Sequence, residues 1–470
     1  MGRQKRREPI LIENIEIIDT ANKGKSVAKH DGRAIFVQGG VPGDICDITV
    51  FKRRKKFWEA RIEKIHTYSN RRTNPKCEHF GTCGGCKWQN MKYESQLEFK
   101  QNEVLNNLKR IGGIELPIHS EILGSEEEYF YRNKMEFTFS NKRWLTIDEV
   151  QSESEIKDKD ALGFHVPGMF DKVINLNNCH LQKNPSNAIR LSVKQFADKN
   201  KLTYFDIRNQ VGLLRNLMVR TSSTNDLMVL VQFYENNKKN INLLMKHLKI
   251  SFPEITSLLY IVNQKANNTM YDQDVVCYNG EDYIMEEMDG LHFKIGAKSF
   301  FQTNSEQAKI LYRKTKELAQ IDENDVVYDL YTGTGTIAQY VAKSSKKVVG
   351  IDSVEEGIKA AYENAERNNI KNCTFYTGDM KEIFTDEFIT KNGIPNVIIT
   401  DPPRDGMHKK VVEQILKIGA KRIVYVSCNS ATQARDLALM DEKYKVINIQ
   451  PVDMFPQTHH VENIVVLELK

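Results

Sequence analysis

The sequence predicts an α/β protein in which a largely parallel sheet with crossover helices forms the C-terminal part, a small β-barrel the N-terminal part, and an α+β region lies between. Three observations predict it. From about residue 300, short buried strands ("DVVYDL", "KVVGID", "CTFYTGD", "NVIITD", "KRIVYVSC") alternate with amphipathic helices, a rhythm that needs a parallel sheet covered on both faces. Ile12 to Ile65 is a run of Ile-, Val- and Phe-rich segments split by turn residues such as Gly39, Gly40 and Val41-Pro42-Gly43-Asp44. Residues 120 to about 290 mix strand-like and helical runs. The domains are accordingly drawn as 1–65, 66–290 and 291–470, with the segment 93–120 packing on the last.

Composition limits the reading. The chain has 470 residues, 40% hydrophobic and 27% charged, enough for several cores. It contains no apolar run of about 18 residues, and "MGRQKRREPILIEN" is basic but lacks the apolar segment and cleavage site of a signal peptide. A cytoplasmic protein without membrane contact is expected. Eight cysteines at irregular spacing in a reducing compartment point to a metal or a reactive thiol, not to disulfides.

Net charge is only +5, yet basic clusters fall early: Gly2 to Arg7, Phe51 to Lys56 and Asn70 to Lys76, with Phe57, Trp58 and Tyr68 interleaved. Exposed cations beside aromatics suit a nucleic-acid backbone with unstacked bases; a merely solvated face is the other reading. The first segment resembles an OB-like barrel of oligonucleotide-binding type. "ESQLEFKQNEVLNNLKRIGG" carries Leu97, Val104, Leu105 and Leu108 at helical spacing and reads as a packing helix. The acidic "DEVQSESEIKDKD" reads as a surface insertion.

In open α/β sheets ligands sit at the carboxyl ends of the strands. The first such end gives "YDLYTGTGTIAQY", in which Gly333 and Gly335 allow a tight turn before a helix near Thr336. The second ends at Asp352, where an acid can accept from ribose hydroxyls, and Asp379 ends the third. A nicotinamide or flavin site would use similar parts, but the third glycine of G-x-G-x-x-G is missing: Ala338 follows instead. The turn is more similar to that of S-adenosylmethionine methyltransferases. The fourth end is "TDPPRDGMH" with Asp401; the fifth runs into "SCNS", placing Cys428 at the same edge.

"DPPRDG", "VYVSCNSATQARDLALM", "DMFPQTHHVENIVVLEL" and "SFFQTN" together resemble the uracil-5 RNA methyltransferase family, and "DGRAIFVQGGVPGD" resembles the TRAM domain, an RNA-binding barrel. The resemblance spans nearly the whole chain. It implies a Rossmann-like class I methyltransferase domain, with Cys428 as nucleophile and Glu462 as base; Asp401 and Asp453 are the other acids considered for that role. Gln302, Tyr331, Asp352 and Asp401 match positions that bind S-adenosyl-L-methionine; Thr336 stands where some relatives carry Asn, and Asp379 is placed near the adenine. A thiolate adding at C6 of uracil makes C5 nucleophilic toward a sulfonium methyl, and a base must then remove the C5 proton. The base has to leave its stack. The implied substrate is a stem-loop uridine of RNA, 23S rRNA first and transfer RNA as the alternative, acted on by a monomer.

Cys77, Cys83 and Cys86 form C-x5-C-x2-C. The iron-sulfur branch of the family supplies Cys179 as a fourth ligand and implies a [4Fe-4S] cluster with a structural role. Spacing alone leaves [2Fe-2S] and structural zinc open, although zinc usually takes two short C-x2-C pairs. Three rival functions are weaker on residues. A radical methylthiotransferase needs a C-x3-C-x2-C site that the chain lacks. A DNA cytosine-5 methyltransferase carries a Pro-Cys nucleophile. A non-catalytic RNA-binding iron-sulfur protein has no use for Cys428 together with Glu462.

Overall fold

The structure is a computed structural model that describes residues 8–117, 119–152 and 158–470. The basic cluster Gly2 to Arg7 and the middle of the acidic insertion lie outside the described residues; the flanking helix Ile147–Gln151 is largely exposed.

Strands β1 (Ile10–Ala21), β2 (Lys25–His30), β3 (Arg33–Gln38), β4 (Ile45–Arg53) and β5 (Phe57–Thr67) close into a barrel in the order β1-β2-β3-β5-β4. Alternation does this: Ile15, Ile17, Ala28, Ile35, Val37, Ile48, Val50 and Ala60 point inward to one core, while their neighbours face water.

The middle region is a seven-stranded sheet built from β6 (Lys134–Ser140), β7 (Ala161–His165), β8 (Val173–Asn175), β9 (Leu214–Thr221), β10 (Leu227–Phe233), β11 (Ser257–Val262) and β12 (Val276–Gly280). Its interior strand β10 is buried along its whole length. Val229 and Val231 pack on the helices Ser186–Lys199 and Lys238–Ser251, whereas Met228 and Leu230 join a second core. That second core continues through the hairpin β13 (Tyr283–Met288) and β14 (Leu291–Gly296) into the C-terminal sheet. The middle and C-terminal parts therefore share one apolar interior.

The C-terminal sheet contains β15 (Val326–Leu330), β16 (Lys347–Asp352), β17 (Cys373–Thr377), β18 (Val397–Thr400), β19 (Arg422–Ser427), β20 (Tyr444–Val452) and β21 (Glu462–Leu469), ordered β17-β16-β15-β18-β19-β21-β20. All neighbours are parallel except β21, which runs antiparallel between β19 and β20. Counted within this sheet the order is 3-2-1-4-5-7-6. Strand order reverses beside β15, so the crevice opens at the carboxyl ends of β15 and β18. Among the described residues no helix is long and apolar enough to cross a membrane.

The helix Tyr93–Arg110 lies against the helix Ser430–Met440, with Asn107 Nδ2 donating to Ser430 Oγ at 2.9 Å. Its buried face holds Phe99, Val104 and Leu108, but also Gln96 and Lys100. The apolar-spacing reading missed that polar half.

Candidate active site

Each loop at the crevice is shaped by its own sequence. After β15 the backbone turns through Tyr331 (φ 65°), Gly333 and Gly335 (φ 75°). A Cβ on Gly335 would lie 2.9 Å from the Ala361 Cβ and 3.0 Å from the Phe375 ring, so only glycine fits there. Tyr331 has no such excuse. A tyrosine in the left-handed region is strained, as residues at ligand sites often are. Asp352 ties the loop down: its two oxygens accept from Gly333 N and Val354 N, each at 2.9 Å. Carboxylate oxygens have further lone pairs, so this bracing leaves acceptor capacity toward the crevice. Thr336 starts the next helix, buried and paired with Thr334 Oγ1 at 3.2 Å. Asp379 is exposed at the rim, where it caps the helix Met380–Ile383 and pairs with Lys381 at 3.0 Å. Gln302 lies between the middle and C-terminal parts; its carbonyl accepts from Asn133 Nδ2 at 2.9 Å.

Cys428 follows β19 and Glu462 opens β21. Ser427 pairs with Asn463 in the antiparallel ladder, so the next step along both strands sets Cys428 across from Glu462. A parallel pairing would have put Glu462 at the opposite edge. Asp401 follows β18, whose end is held by its N–H to Leu330 O at 3.3 Å.

A third buried acid completes the group. Asp329, fully buried within β15, accepts from Thr332 Oγ1 at 2.6 Å and Ala338 N at 3.0 Å, while its Oδ1 has no partner. Its only signal in the sequence is a single acid inside the apolar run "VVYDL". Burial pushes Asp329 up to about 7; burial and the Asp329 charge push Asp401 up to about 7. Burial, then Asp401, raises Glu462 well above the carboxylate range, with Arg404 opposing. The Cys428 thiol is pushed up to about 11 by burial, Glu462 and Asp401, again opposed by Arg404, which also hydrogen-bonds it. Arg404 is held in place by its own carbonyl, which accepts from Asn429 Nδ2 at 2.9 Å and Thr432 Oγ1 at 3.0 Å. It stood in the quoted "DPPRDG" without being singled out.

Asp453 belongs elsewhere. It is fully buried, accepting from Lys100 Nζ at 2.6 Å, Tyr93 OH at 3.0 Å and Phe455 N at 3.0 Å. Those bonds remove it from the acids able to act as base, and they anchor the loop that leads through His459 and His460 to Glu462. The same loop is gripped by Gln96, which accepts from Gln457 N at 2.9 Å.

Cys77, Cys83, Cys86 and Cys179 line a single cavity with Phe80, Phe164 and Leu181, and none is in a disulfide. Burial raises all four thiols, Cys83 to about 11 and Cys86 to about 12. Among the described residues no group of three or more His, Cys, Asp or Glu side chains has the spacing to hold a metal ion. Arg190 is fully buried near Cys179, bonded only to neutral acceptors such as Asn177 O at 2.9 Å, with its Nε unpartnered.

The basic clusters divide. Arg72 makes two 2.7 Å bonds to buried Asp44, Arg71 pairs with Glu98, and Lys76 sits 4.9 and 4.8 Å from the Tyr129 and Phe130 ring centroids. Arg72 is thus spent inside the protein and Arg71 on a surface ion pair, while Lys76 stays exposed. Arg54, Lys55 and Lys56 stay exposed in the β4–β5 turn.

A 3-2-1-4-5-7-6 sheet with a glycine turn after its first strand and an acid after its second defines an S-adenosylmethionine-dependent methyltransferase. The family model described as tRNA (uracil-5-)-methyltransferase matches residues 261–470. An uncharacterized RNA methyltransferase of Bacteroides thetaiotaomicron is 53% identical over 96% of this chain and 100% of its own length, and one of Porphyromonas gingivalis is 50% identical over 96% and 99%. The solved tRNA (uracil-54, C5)-methyltransferase of Pyrococcus abyssi, in complex with S-adenosyl-L-homocysteine, is similar with a TM-score of 0.74 at 29% identity, covering 96% of this chain and 100% of that one. The chain belongs to the uracil-5 RNA methyltransferase family, and its methyl donor is S-adenosylmethionine.

The three buried acids have a consequence for that donor. Their raised values mean that the folded protein keeps protons the unfolded chain would release, so their own contribution to stability is greatest at low pH. For Asp329 and Asp401 it is lost as pH rises from about 3.8 to about 7. A sulfonium cation bound beside them would stabilise the ionised acids; the neutral thioether of S-adenosylhomocysteine would not. Calorimetric titration at pH 6 and pH 8 should show the affinity ratio of donor to product rising with pH, and Asp329→Asn should flatten that rise. A pH-independent ratio in the unmutated protein would remove the acids from the sulfonium's surroundings.

Proposed function

We propose that this enzyme transfers a methyl group to C5 of a specific uridine in RNA by covalent catalysis, with Cys428 as nucleophile and Glu462 as base. The observation that carries this reading is the register of β19 and β21, which sets a thiol and a buried acid side by side at the crevice. The Cys428 thiol gives its proton to solvent and the thiolate sulfur bonds to C6; the electron pair moved to C5 takes the methyl as its bond to sulfur breaks and S-adenosylhomocysteine leaves; ionised Glu462 accepts the C5 proton, and the freed electron pair expels the thiolate as the C6–S bond breaks, restoring the C5–C6 double bond of uracil. Arg404 opposes the rise of the thiol caused by burial and the acids, and its cation stabilises the thiolate when it forms. Gln302, Tyr331, Thr336, Asp352, Asp379 and Asp401 line the donor's place, Asp352 for the ribose; Asp379, exposed and bound to Lys381, forms its outer rim.

The RNA read from the resemblance is 23S rRNA. Transfer RNA is the second reading, favoured by the name of the Pyrococcus abyssi enzyme, which acts on uracil 54 of tRNA. Mapping 5-methyluridine in both RNAs from cells with and without this protein separates them: a position lost from 23S rRNA supports the first, one lost from tRNA the second, and no lost position overturns the activity.

We infer that Cys77, Cys83, Cys86 and Cys179 hold a [4Fe-4S] cluster, a reading supported by their lining one cavity. Four thiolates can hold such a cluster, which is itself several bonds across, so they need not converge as closely as around one zinc ion at about 2.3 Å from each sulfur. Arg190, a buried cation with no carboxylate, supplies the positive charge such an anionic group requires. When bound, the cluster cross-links the loop Cys77–Cys86 to Cys179. Anaerobically purified protein should be brown, with iron and sulfide in comparable amounts. Cys83→Ser should lose the colour while Cys277→Ser and Cys373→Ser keep it; zinc without iron would overturn the assignment.

A further inference from the structure

A wide groove lies away from the crevice's floor and has no role in the chemistry above. It measures about 620 Å³, within the ~300–1,000 Å³ of ligand-sized sites, and runs between Gly84, Gly85 and Lys87 on one wall and the segment Phe164 to Phe170 on the other. The second wall is built before any ligand arrives. Val166-Pro167-Gly168-Met169 closes with Met169 N donating to Val166 O at 3.0 Å and Gly168 at φ 80°, the type II pattern that needs glycine there. Val166 N donates to Lys172 O at 3.0 Å, completing the hairpin tip. The turn projects Met169 and Phe170, which are 46% and 61% exposed.

Phe170 is presented as a platform. The Arg208 guanidinium lies 5.0 Å from its ring centroid, and Asp171 holds Arg208 through a 2.6 Å bond to Nε. That ion pair occupies both the acid and Arg208, and leaves Lys87, which lines the groove, and Lys172, next in the chain to Asp171, as the nearby cations. An exposed aromatic face with lysines nearby suits a nucleobase and its phosphate.

The groove also adjoins the catalytic loop. Gly84 N donates to His165 O at 3.2 Å, joining the walls, and Lys87 N and Trp88 N both donate to Gln457 O, at 2.9 and 3.1 Å. A Cβ on Gly24 of the barrel would lie 2.6 Å from the Lys87 Cβ and 3.6 Å from His459 Nδ1. Barrel, groove and the loop ending at Glu462 therefore meet at Lys87.

We propose that this groove holds an unpaired RNA nucleotide flanking the target uridine, with its base stacked on Phe170. The inference rests on the RNA reading of the crevice and adds a site to it. Paired bases show no free face, so the groove selects single-stranded or unfolded RNA.

Fluorescence anisotropy with the full-length protein tests this, using labelled oligouridylate and a blunt RNA duplex as probes. Phe170→Ala should weaken oligouridylate binding about five- to a hundredfold, the range of one lost base stack, while Phe170→Tyr stays within about twofold of the unmutated protein. Duplex binding and S-adenosylmethionine affinity should not change. Unchanged oligouridylate binding by Phe170→Ala overturns the site, as does an equal loss for the duplex, which would assign Phe170 to backbone contacts or to folding. Absence of oligouridylate binding by the unmutated protein is a different failure: it strikes the RNA reading itself.

Discussion

Cys428→Ala protein should methylate no RNA and form no covalent adduct, with turnover reduced by ~10⁴-fold or more, the scale seen when a covalent nucleophile is removed. The variant should still fold and bind its donor, because the thiol is only half-buried and the neighbouring backbone is held by Asn429 and Thr432. Glu462→Gln should differ in kind. Attack at C6 and methyl transfer remain available, but proton removal slows by about 10²–10⁴-fold. Methylated RNA should then accumulate as an adduct that survives a denaturing gel. Normal turnover by Glu462→Gln moves the base to Asp401, since Asp453 is sealed behind Lys100 and Tyr93. Activity in Cys428→Ala ends the thiol-addition reading.

Lys100→Met should be the most destabilising single change outside the crevice. Lys100 and Asp453 are both fully buried, so removing the cation leaves an uncompensated carboxylate in the interior, a loss of about 3–5 kcal/mol. The same bond anchors the loop that carries His459, His460 and Glu462, so kcat should fall together with the melting temperature. Adding Asp453→Asn to Lys100→Met should recover much of the stability, because the stranded charge is then gone, but not the kcat. An unchanged melting temperature in Lys100→Met would show that the pair is not what holds the loop.

Both predictions turn on residues that differ in how readable they were. Cys428 and Glu462 stand in motifs with recognisable chemistry, and strand ends are where an α/β sheet keeps its ligands. Lys100 stands on a helix whose Leu97, Val104, Leu105 and Leu108 announce ordinary packing; nothing local says that the face between them is polar and buried. Asp329 was hidden for the opposite reason, since a single acid inside a strand-like run carries no periodic signal. The basic cluster Asn70 to Lys76 reads the same whether its cations meet phosphate or an internal carboxylate. Only the position of Asp44, 28 residues from Arg72, decides it.

By itself the sequence determined the alternation that makes the C-terminal sheet parallel, the inward alternation that closes the barrel, and the residue types a thiol-addition methyl transfer needs. These are local properties: period, turn chemistry and side-chain reactivity are written within a few residues. The tertiary structure alone decided that β21 inserts antiparallel beside β19, which brings Glu462 to Cys428 across 34 positions of chain. It alone placed Asp329, Asp401 and Glu462 in one desolvated group with Arg404, and joined the cysteine loop to the catalytic loop at Gln457. The reason is physical. Strand order, the burial of a charge and its partner depend on which distant segments share a core, and no residue carries that information in its own neighbourhood.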